Sequence, residues 1–520
     1  MLDALRKAPF TMLKLQTKYF IFCFFFCFLQ TSHSQSPSYR IEHIDLRIQP
    51  DFNSKVVSLL ATIEIKNPRL ESEFTFGLND RYDSVIVTAG FSATSIKRAD
   101  GEIAVTLKNP SEDIRLVFKL RGLLGKSIDE NCAIVSDSSL FLLWSDRFYP
   151  IDFGRWASMK TEIVLPSGFQ AVAPGRITNL KKVGSNIVYT FETSRPTVSF
   201  SVFADSRWIK TERNMNGIRM QTLLYAESQK FSDQIFSTSS EILKFFSEVL
   251  SPYPFDEFSF VTIRGMYARR AFPGFVGYEP RYLEKEFTTT GHDAHETSLL
   301  WWTYTLHGAG PGSFQWTEGF GDYAEILFDE AYHKPIPKIF QRFRGEYLAT
   351  PADQDLLYSD LRGNTPQKFI HGKYPWLLHV VRSVVGDSAF RNALKLVFNR
   401  FQYRTFTMND FVATLEEGCG QSLQWWREEW LGRKGVPTIA INSQIQKRDS
   451  RYVIVCTLEQ RRGLYHLPLT IGIGSSPGLR REKVLLNEKR MMFTFESKEE
   501  PTRILLDPDG WVLMNVISME

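Results

Sequence analysis

Cysteine is scarce in this chain, which excludes a fold held together by disulfides or by a structural zinc cluster. The 520 residues include five cysteines, and Cys23 and Cys27 fall in an apolar N-terminal segment. The other three, Cys132, Cys419 and Cys456, allow at most one disulfide, and their spacing matches no zinc cluster. The stability of the chain therefore has to come from apolar cores.

The chain also has little net charge. The formal net charge is +4, and residues 1–34 carry four basic side chains and one acidic side chain. Without that segment the net charge falls to about +1. A chain so close to neutral has no general attraction for phosphate backbones, so we expect no nucleic-acid partner.

A long apolar run is absent as well. The apolar segment 19–29 is shorter than the roughly 20 residues that a membrane-spanning helix needs. Basic residues precede it, and the small residues Ser32 and Ser34 stand just before Gln35. This pattern predicts an export signal over residues 1–34 and a mature chain without a transmembrane span. The expected destination is the periplasm or the outside of the cell, and an uncleaved N-terminal anchor is the alternative.

The chain is long and rich in phenylalanine, with 42 such residues, and it exceeds the length of a single core. Residues 35–207 predict β structure, because apolar and polar side chains alternate there. The clearest alternating or strand-like runs are 44–48, 63–65, 187–191 and 197–203.

The apolar period changes to that of a helix over residues 208–436. Ile242, Phe245, Phe246, Val249 and Leu250 form the apolar stripe of a packed helix. Helical patterns recur at 293–306, 317–330, 375–385, 388–402 and 408–417. Strand patterns return over 437–520, so the sequence predicts a multidomain α+β chain.

One segment has the spacing of a zinc hydrolase. In helical zincins a His-Glu-x-x-His helix places two imidazoles on one zinc ion, the Glu deprotonates the bound water, and a later Glu is the third ligand. His295, Glu296 and Glu318 have that spacing, but Leu299 stands where the second histidine belongs.

Residues 295–320 resemble the active-site stretch of the aminopeptidase N family of gluzincins. The family's His-Glu-x-x-His motif is followed, after eighteen residues, by the Glu of an Asn-Glu-Gly-Phe segment, and this chain has Thr317-Glu318-Gly319-Phe320 without a gap. Further agreements lie at 143–150, 252–256, 301–302 and 426–437. The chain is identified as a degenerate member that lacks one zinc-ligand histidine. The resemblance implies an N-terminal β saddle over 35–207, a thermolysin-like domain over 208–436 and a C-terminal β sandwich over 437–520.

The same alignment shows two further departures. The family holds the free amino group of its substrate with the Glu of a Gly-Ala-Met-Glu-Asn segment, and Ala271 stands at that Glu. The family's oxyanion donor is a Tyr shortly before a Lys-Gly pair, and Phe369 stands at that Tyr. Arg269 and Arg270 precede Ala271 and would repel a free amino terminus. They either favour a carboxylate or phosphate or form a charged loop.

Three residues have roles that the sequence leaves open. Asp322 lies one turn after Glu318 and either orients His295 from behind or is an exposed helix residue. His292 and His307 are the candidate replacements for the missing zinc ligand, and each has a surface or capping role as the alternative.

These losses favour an exported pseudopeptidase that binds a peptide or protein partner and carries no cofactor. On this hypothesis Glu296 is a vestigial general base, and His295 and Glu318 are vestigial metal ligands. The alternative is a zinc-dependent metallohydrolase with a rebuilt ligand set that still uses Glu296 as its base. A third hypothesis is an architectural role in a cell-envelope assembly.

Overall fold

The computed structural model describes residues 39–90, 94–124, 134–266, 268–289, 293–310, 312–332, 334, 338–362, 364–475 and 478–518. The predicted export segment, His292 and Cys132 lie outside these ranges. Within the described ranges, no helix combines the length and the apolar character needed to cross a membrane.

The N-terminal part of the chain is rich in β structure. Its strands are β1 (Arg40–Asp51), β2 (Val56–Lys66), β3 (Glu73–Gly77), β4 (Tyr82–Thr88), β5 (Thr94–Ala99), β6 (Glu102–Leu107), β7 (Asp113–Gly122), β8 (Ile134–Ser136), β9 (Ser139–Leu142), β10 (Ser158–Pro166), β11 (Gln170–Val172), β12 (Arg176–Val183), β13 (Asn186–Glu192) and β14 (Val202–Asp205). A short 3₁₀ turn, Trp144–Asp146, follows β9.

A sheet of seven described strands dominates this part, in the order β12-β13-β10-β1-β2-β7-β4. Its neighbours are antiparallel except β1 and β10, which run parallel. Ile44, Leu46 and Ile48 of β1 are buried and alternate with more exposed polar residues. One face of the sheet is therefore packed and the other is open, as the alternation predicts.

The expected strand at 197–203 begins later than the sequence suggests. Residues 197–201 make a single bridge from Thr197 to Ala157, and the Thr197 hydroxyl donates to the carbonyl of Ser199 at 2.9 Å. Because Thr197 closes this local turn, regular pairing starts only at Val202.

The middle of the chain is mainly helical and packs around one further sheet. The strands β15 (Ile209–Met215), β16 (Ile218–Leu224), β17 (Glu257–Thr262), β18 (Arg269–Phe272) and β19 (Phe275–Tyr278) pair in the order β15-β16-β17-β19-β18. The helices are α1 (Ser232–Val249), α2 (Pro280–Thr289), α3 (Ala294–Trp302), α4 (Ser313–Ala331), α5 (Lys338–Leu348), α6 (Gln367–His371), α7 (Tyr374–Val385), α8 (Asp387–Phe401), α9 (Met408–Cys419) and α10 (Gln424–Trp426). Short strands β20 (Leu306–Gly308) and β21 (Arg404–Phe406) pair beside them, and 3₁₀ or π turns span Ala226–Phe231, Ala352–Gln354, Tyr358–Asp360 and Arg427–Leu431.

Each predicted helical pattern corresponds to a helix of the structure, but one of these helices, α3, is shorter than its pattern. The apolar pattern at 293–306 gives α3, which ends at Trp302, and Leu306 already belongs to β20. The amides of Thr303 and Tyr304 both bond to the carbonyl of Leu299, so the last turn closes on itself and the helix does not continue.

Strands return after the helices, as the sequence predicts. They are β22 (Thr438–Arg448), β23 (Arg451–Gln460), β24 (Leu467–Ser475), β25 (Gly478–Leu486), β26 (Arg490–Ser497), β27 (Arg503–Leu506) and β28 (Asn515–Ser518). They form a four-stranded sheet, β26-β23-β22-β28, and a three-stranded sheet, β25-β24-β27. Cys419 and Cys456 form no disulfide within the described residues.

Two large apolar clusters hold these parts together. One lies inside the N-terminal sheets, from Tyr39 to Ala204. The other is continuous from Met220 in β16 to Met514 beside β28, so the helices and the C-terminal strands share one core. A smaller cluster that contains Phe203 and Phe272 joins the N-terminal strands to the middle sheet.

A buried ion pair connects the helices to the start of the C-terminal strands. Nζ of Lys373 lies 2.9 Å from Oδ2 of Asp355, and both side chains are almost fully buried. The same carboxylate oxygen accepts hydrogen bonds from the hydroxyl of Tyr347 and from the amide of Gly435. Lys373 also donates to the carbonyl of Leu356, so each buried charge has partners.

We expect Lys373→Met to destabilise the protein, because it leaves the Asp355 carboxylate buried without its cation. The loss in unfolding free energy should be about 3–5 kcal/mol, measured by urea unfolding followed through tryptophan fluorescence. Arg451→Met breaks an exposed pair with Glu496 and is the matched control, expected to change stability little. Equal losses in the two variants would contradict this account of Asp355.

Candidate functional site

Helices α3 and α4 approach closely and bring the zinc-hydrolase residues together. Ser298 of α3 donates a hydrogen bond to the carbonyl of Gly321 at 3.1 Å. A Cβ atom at Gly321 would lie 2.7 Å from Cδ2 of Leu299. Glycine at this point therefore lets the helices pack in the register that places His295 opposite Glu318.

His295 is buried and both of its ring nitrogens face carboxylates. Nε2 lies 3.3 Å from Oε1 of Glu318, and Nδ1 lies 2.8 Å from Oδ1 of Asp322. Burial alone would lower the pKa of His295, but Asp322 and Glu318 outweigh it and raise the pKa well above its ordinary value. The two carboxylates therefore favour the protonated form of His295.

Asp322 is shared by two histidines. Its Oδ2 lies 2.6 Å from Nδ1 of His371 on α6, and the ring of Phe343 stacks on His371 at 5.2 Å. Burial would raise the pKa of Asp322, but His371 and His295 lower it to about 2. The sequence analysis missed His371, although it stands two residues after Phe369, where the related family has the Lys of its Lys-Gly pair.

Glu296 is paired with an arginine from the middle sheet. Oε1 of Glu296 lies 3.3 Å from Nε of Arg269, and Nη1 of Arg269 lies 2.9 Å from Oε1 of Glu286. Burial raises the pKa of Glu296, and His295 and Arg269 oppose that rise. Arg269 and Arg270 lie on strand β18, so the expectation of a charged loop was wrong.

The three degenerate positions are all buried among apolar groups. Leu299 packs against Gly321, and Phe369 contacts the ring of Tyr347 edge-on at 6.2 Å. The backbone carbonyl of Ala271 accepts a hydrogen bond from Tyr304 at 2.8 Å. None of these three side chains carries a polar group that could bind a metal or a charged substrate.

Of the two candidate replacement ligands, His307 is among the described residues, and its ring packs against aromatic residues of the N-terminal part. His307 lies on β20, where its ring contacts Phe153 at 5.2 Å and Trp156 at 6.5 Å. Burial lowers the pKa of His307 to about 4. His292 lies outside the described residues.

The sequence and the structure of this chain are both similar to those of known aminopeptidases. No protein-family model matches the chain. A stretch of 244 residues is 25% identical to the puromycin-sensitive aminopeptidase of Caenorhabditis elegans and covers 43% of this chain and 24% of that protein. A probable aminopeptidase of Sulfurisphaera tokodaii is 21% identical over 168 residues, 32% of this chain and 20% of that protein. The crystal structure of Legionella pneumophila aminopeptidase A in complex with aspartic acid superposes with a TM-score of 0.72 at 13% identity, over 94% of this chain and 61% of that one.

The chain is a weak homologue of aminopeptidases. It shares the fold of aminopeptidase A, with a β-rich N-terminal part and a helical middle. The chain matches about a quarter or less of the length of these curated relatives.

Aminopeptidases of the aminopeptidase N family, which this chain resembles, bind zinc. The side chains at the candidate site can therefore be compared with the ligands that a zinc ion requires. Two ligands of one tetrahedral zinc ion, each at about 2.0–2.1 Å, are ~3.3 Å apart. The 3.3 Å between His295 and Glu318 therefore suits a shared metal as well as a direct contact. The position of the motif's second histidine is Leu299, which has no donor atom, so the motif as it stands does not complete the three protein ligands of a catalytic zinc.

We expect the His307→Phe variant to lose less unfolding free energy than the wild-type protein when the pH is lowered. The folded pKa of His307 is depressed to about 4, below about 6.5 in the unfolded chain. The unfolded state then binds more protons, so wild-type stability falls as the pH drops from about 6.5 towards 4 and is unaffected above that window. The variant should lose about 2–3 kcal/mol less between pH 8 and pH 4.5, measured by urea unfolding at pH 8, 6 and 4.5. Parallel profiles for the two proteins would contradict the lowered pKa of the partly buried His307.

Proposed function

We propose that this chain is an exported, aminopeptidase-like protein that hydrolyses no peptides and instead binds a peptide or protein in its inherited cleft. The observation that supports this most is the state of Glu296. A general base needs a free oxygen within hydrogen-bond reach of the water that it activates. Oε1 of Glu296 instead lies 3.3 Å from Nε of Arg269, and the carboxylate also interacts with the backbone amide of Ala271, so two donors of the protein compete with a water for its oxygens.

The replaced side chains support the same proposal. A catalytic zinc ordinarily has three protein ligands and an open fourth position, and Leu299 supplies none. Loss of one oxyanion donor costs about 10²–10³ in kcat, and Phe369 has no hydroxyl. Ala271 cannot hold a free amino group. Together these changes remove the metal site, the oxyanion donor and the amine anchor while the fold around them persists.

Binding is the function that such a cleft can keep. The related aminopeptidase A was solved with an amino acid, aspartic acid, bound, and a pocket between packed domains is where ligands ordinarily bind. The proposed export of the chain depends on residues 1–34, which lie outside the described residues. We propose that the chain works without a cofactor.

A second function, a zinc-dependent metallohydrolase with a rebuilt ligand set, is favoured by one observation. The 3.3 Å spacing of His295 and Glu318 is that of two zinc ligands. This function requires a further donor and a free Glu296.

We expect the purified chain, incubated with zinc, to leave aminoacyl-p-nitroanilides and a mixed peptide library uncleaved, because Glu296 and the metal motif are disabled. Mass spectrometry of the library measures this. The library should still be retained by the immobilised protein, and Glu296→Gln should retain it equally. Cleavage that Glu296→Gln abolishes would establish the metallohydrolase instead.

We expect Leu299→His to increase zinc binding, because it supplies the second histidine of the motif beside His295 and Glu318. Zinc per chain, measured by elemental analysis after gel filtration, should rise from near zero towards one. Leu299→Asn is the matched control, since it adds polarity at the same position without an imidazole. A wild-type chain that already carries one zinc ion would show that a replacement ligand exists.

A further inference from the structure

The solvent face of the N-terminal sheet holds a depression of about 330 Å³ that spans four neighbouring strands, β1, β2, β7 and β4. Among the described residues, its lining includes the cations Arg47, Lys119 and Arg121 and no acidic side chain. Arg47 lies 3.6 Å from Glu162 of β10, at the border of the depression. The opposite face of these strands is packed in the N-terminal core, so the depression lies on different elements from α3 and α4 of the candidate site.

The register of the strands places one of these cations between two aliphatic side chains. Leu60 of β2 and Ile86 of β4 are the partners of Lys119 on β7. Leu60 is 39% exposed and Ile86 is 55% exposed. Arg121 follows two residues later on β7 and has a serine as its partner on each side. Exposed cationic and aliphatic groups thus share one small area of the sheet.

Two of the three cations are not neutralised within the protein. Lys119 and Arg121 are exposed, and neither has a carboxylate within ion-pair distance among the residues that the structure describes. Hydrogen bonds from Ser54 lower the pKa of the exposed Asp51, and the charge of Arg121 adds a smaller contribution. An anion that enters the depression therefore meets two cations that are available to pair with it.

The positions of the two cations match an extended peptide. Residues two apart on a strand point to the same face and are about 6.6 Å apart, and the glutamates at alternate positions of an extended peptide have the same spacing. A peptide that lies along β7 can therefore direct one carboxylate to Lys119 and the next to Arg121. The methylene groups of the first glutamate then contact Leu60 and Ile86, and the exclusion of water there strengthens the ion pair.

Other anionic partners fit this surface less well. The interface of a bilayer favours Trp and Tyr, and the described lining of the depression contains neither. A nucleic acid requires a broad excess of positive charge, and the whole chain has a net charge of only +4. An acidic polypeptide needs only the local charge that β7 supplies.

We propose that this depression is a docking site for an acidic segment of a protein partner, bound in extended form along β7. Lys119 and Arg121 pair with glutamates at alternate positions of the segment, and Leu60 and Ile86 contact their methylene groups. The site is separate from the inherited cleft, and its function does not depend on the peptide binding proposed there.

The test uses the full chain and three fluorescently labelled peptides of equal length with blocked ends. The first alternates glutamate with serine, and the second alternates glutamine with serine. The third has the composition of the first, with pairs of adjacent glutamates separated by pairs of serines, so that it has no two glutamates at alternate positions. Fluorescence anisotropy at low ionic strength gives the affinity of each. We expect the first peptide to bind about tenfold or more tightly than the second, and more tightly than the third.

The affinity should depend on the two cations of β7. Lys119→Met/Arg121→Met should bind the first peptide as weakly as wild type binds the second. Lys119→Glu/Arg121→Glu should instead prefer a peptide that alternates lysine with serine. Lys181→Met/Lys182→Met removes two exposed cations from β12, at the other edge of the same sheet, and is the matched control that should behave as wild type. Circular dichroism establishes that each variant is folded.

Several outcomes would overturn the proposal. Equal binding of the first and second peptides, or unchanged affinity in folded Lys119→Met/Arg121→Met, would show that β7 does not recognise an acidic segment. Equal binding of the first and third peptides would contradict the extended arrangement along β7. Vesicles of phosphatidylglycerol and phosphatidylcholine that bind through Lys119 and Arg121, while the first peptide does not, would identify a membrane as the partner. A dimer in sedimentation velocity that the same variant dissociates would identify a second copy of this chain.

Discussion

The geometry of the candidate site depends on the Asp322 carboxylate, which is almost completely withdrawn from water. A buried anion is stable only when cations or hydrogen-bond donors surround it, and Asp322 meets this demand with His295 from α3 and His371 from α6. The carboxylate therefore fixes three helices relative to one another. This explains why His295 and Glu318 have a metal-ligand spacing although Leu299 stands where the zinc-hydrolase motif has its second histidine.

Much of the fold could be predicted from periodicity, because β1 and α1 each bury one face and expose the other. The middle sheet could not, since every residue of β17 is buried and a fully buried strand shows no alternation. The candidate site also has one part that the sequence predicts and one part that it does not. Motif spacing predicts that His295 and Glu318 meet, whereas the pairing of Arg269 with Glu296 joins separate elements, and a charge in the sequence does not reveal its partner.

The charges around β18 bear directly on the candidate site. Arg269 brings a cation to the carboxylate that would have to act as a base, and so satisfies Glu296 within the protein itself. This pairing lies within a fold that the chain shares with aminopeptidase A.

The apolar cluster that runs from Met220 to Met514 has a consequence for how the molecule comes apart. Because the helices and the C-terminal strands contribute to one uninterrupted core, neither can melt while the other stays packed, and the two form a single cooperative unit. The N-terminal strands have their own core and are a separate unit, joined through the small cluster at Phe203 and Phe272. Heating should therefore give two calorimetric transitions, and a chain cut before Thr438 would be prone to aggregate, because its helices would expose the surface that β22 and β24 normally cover.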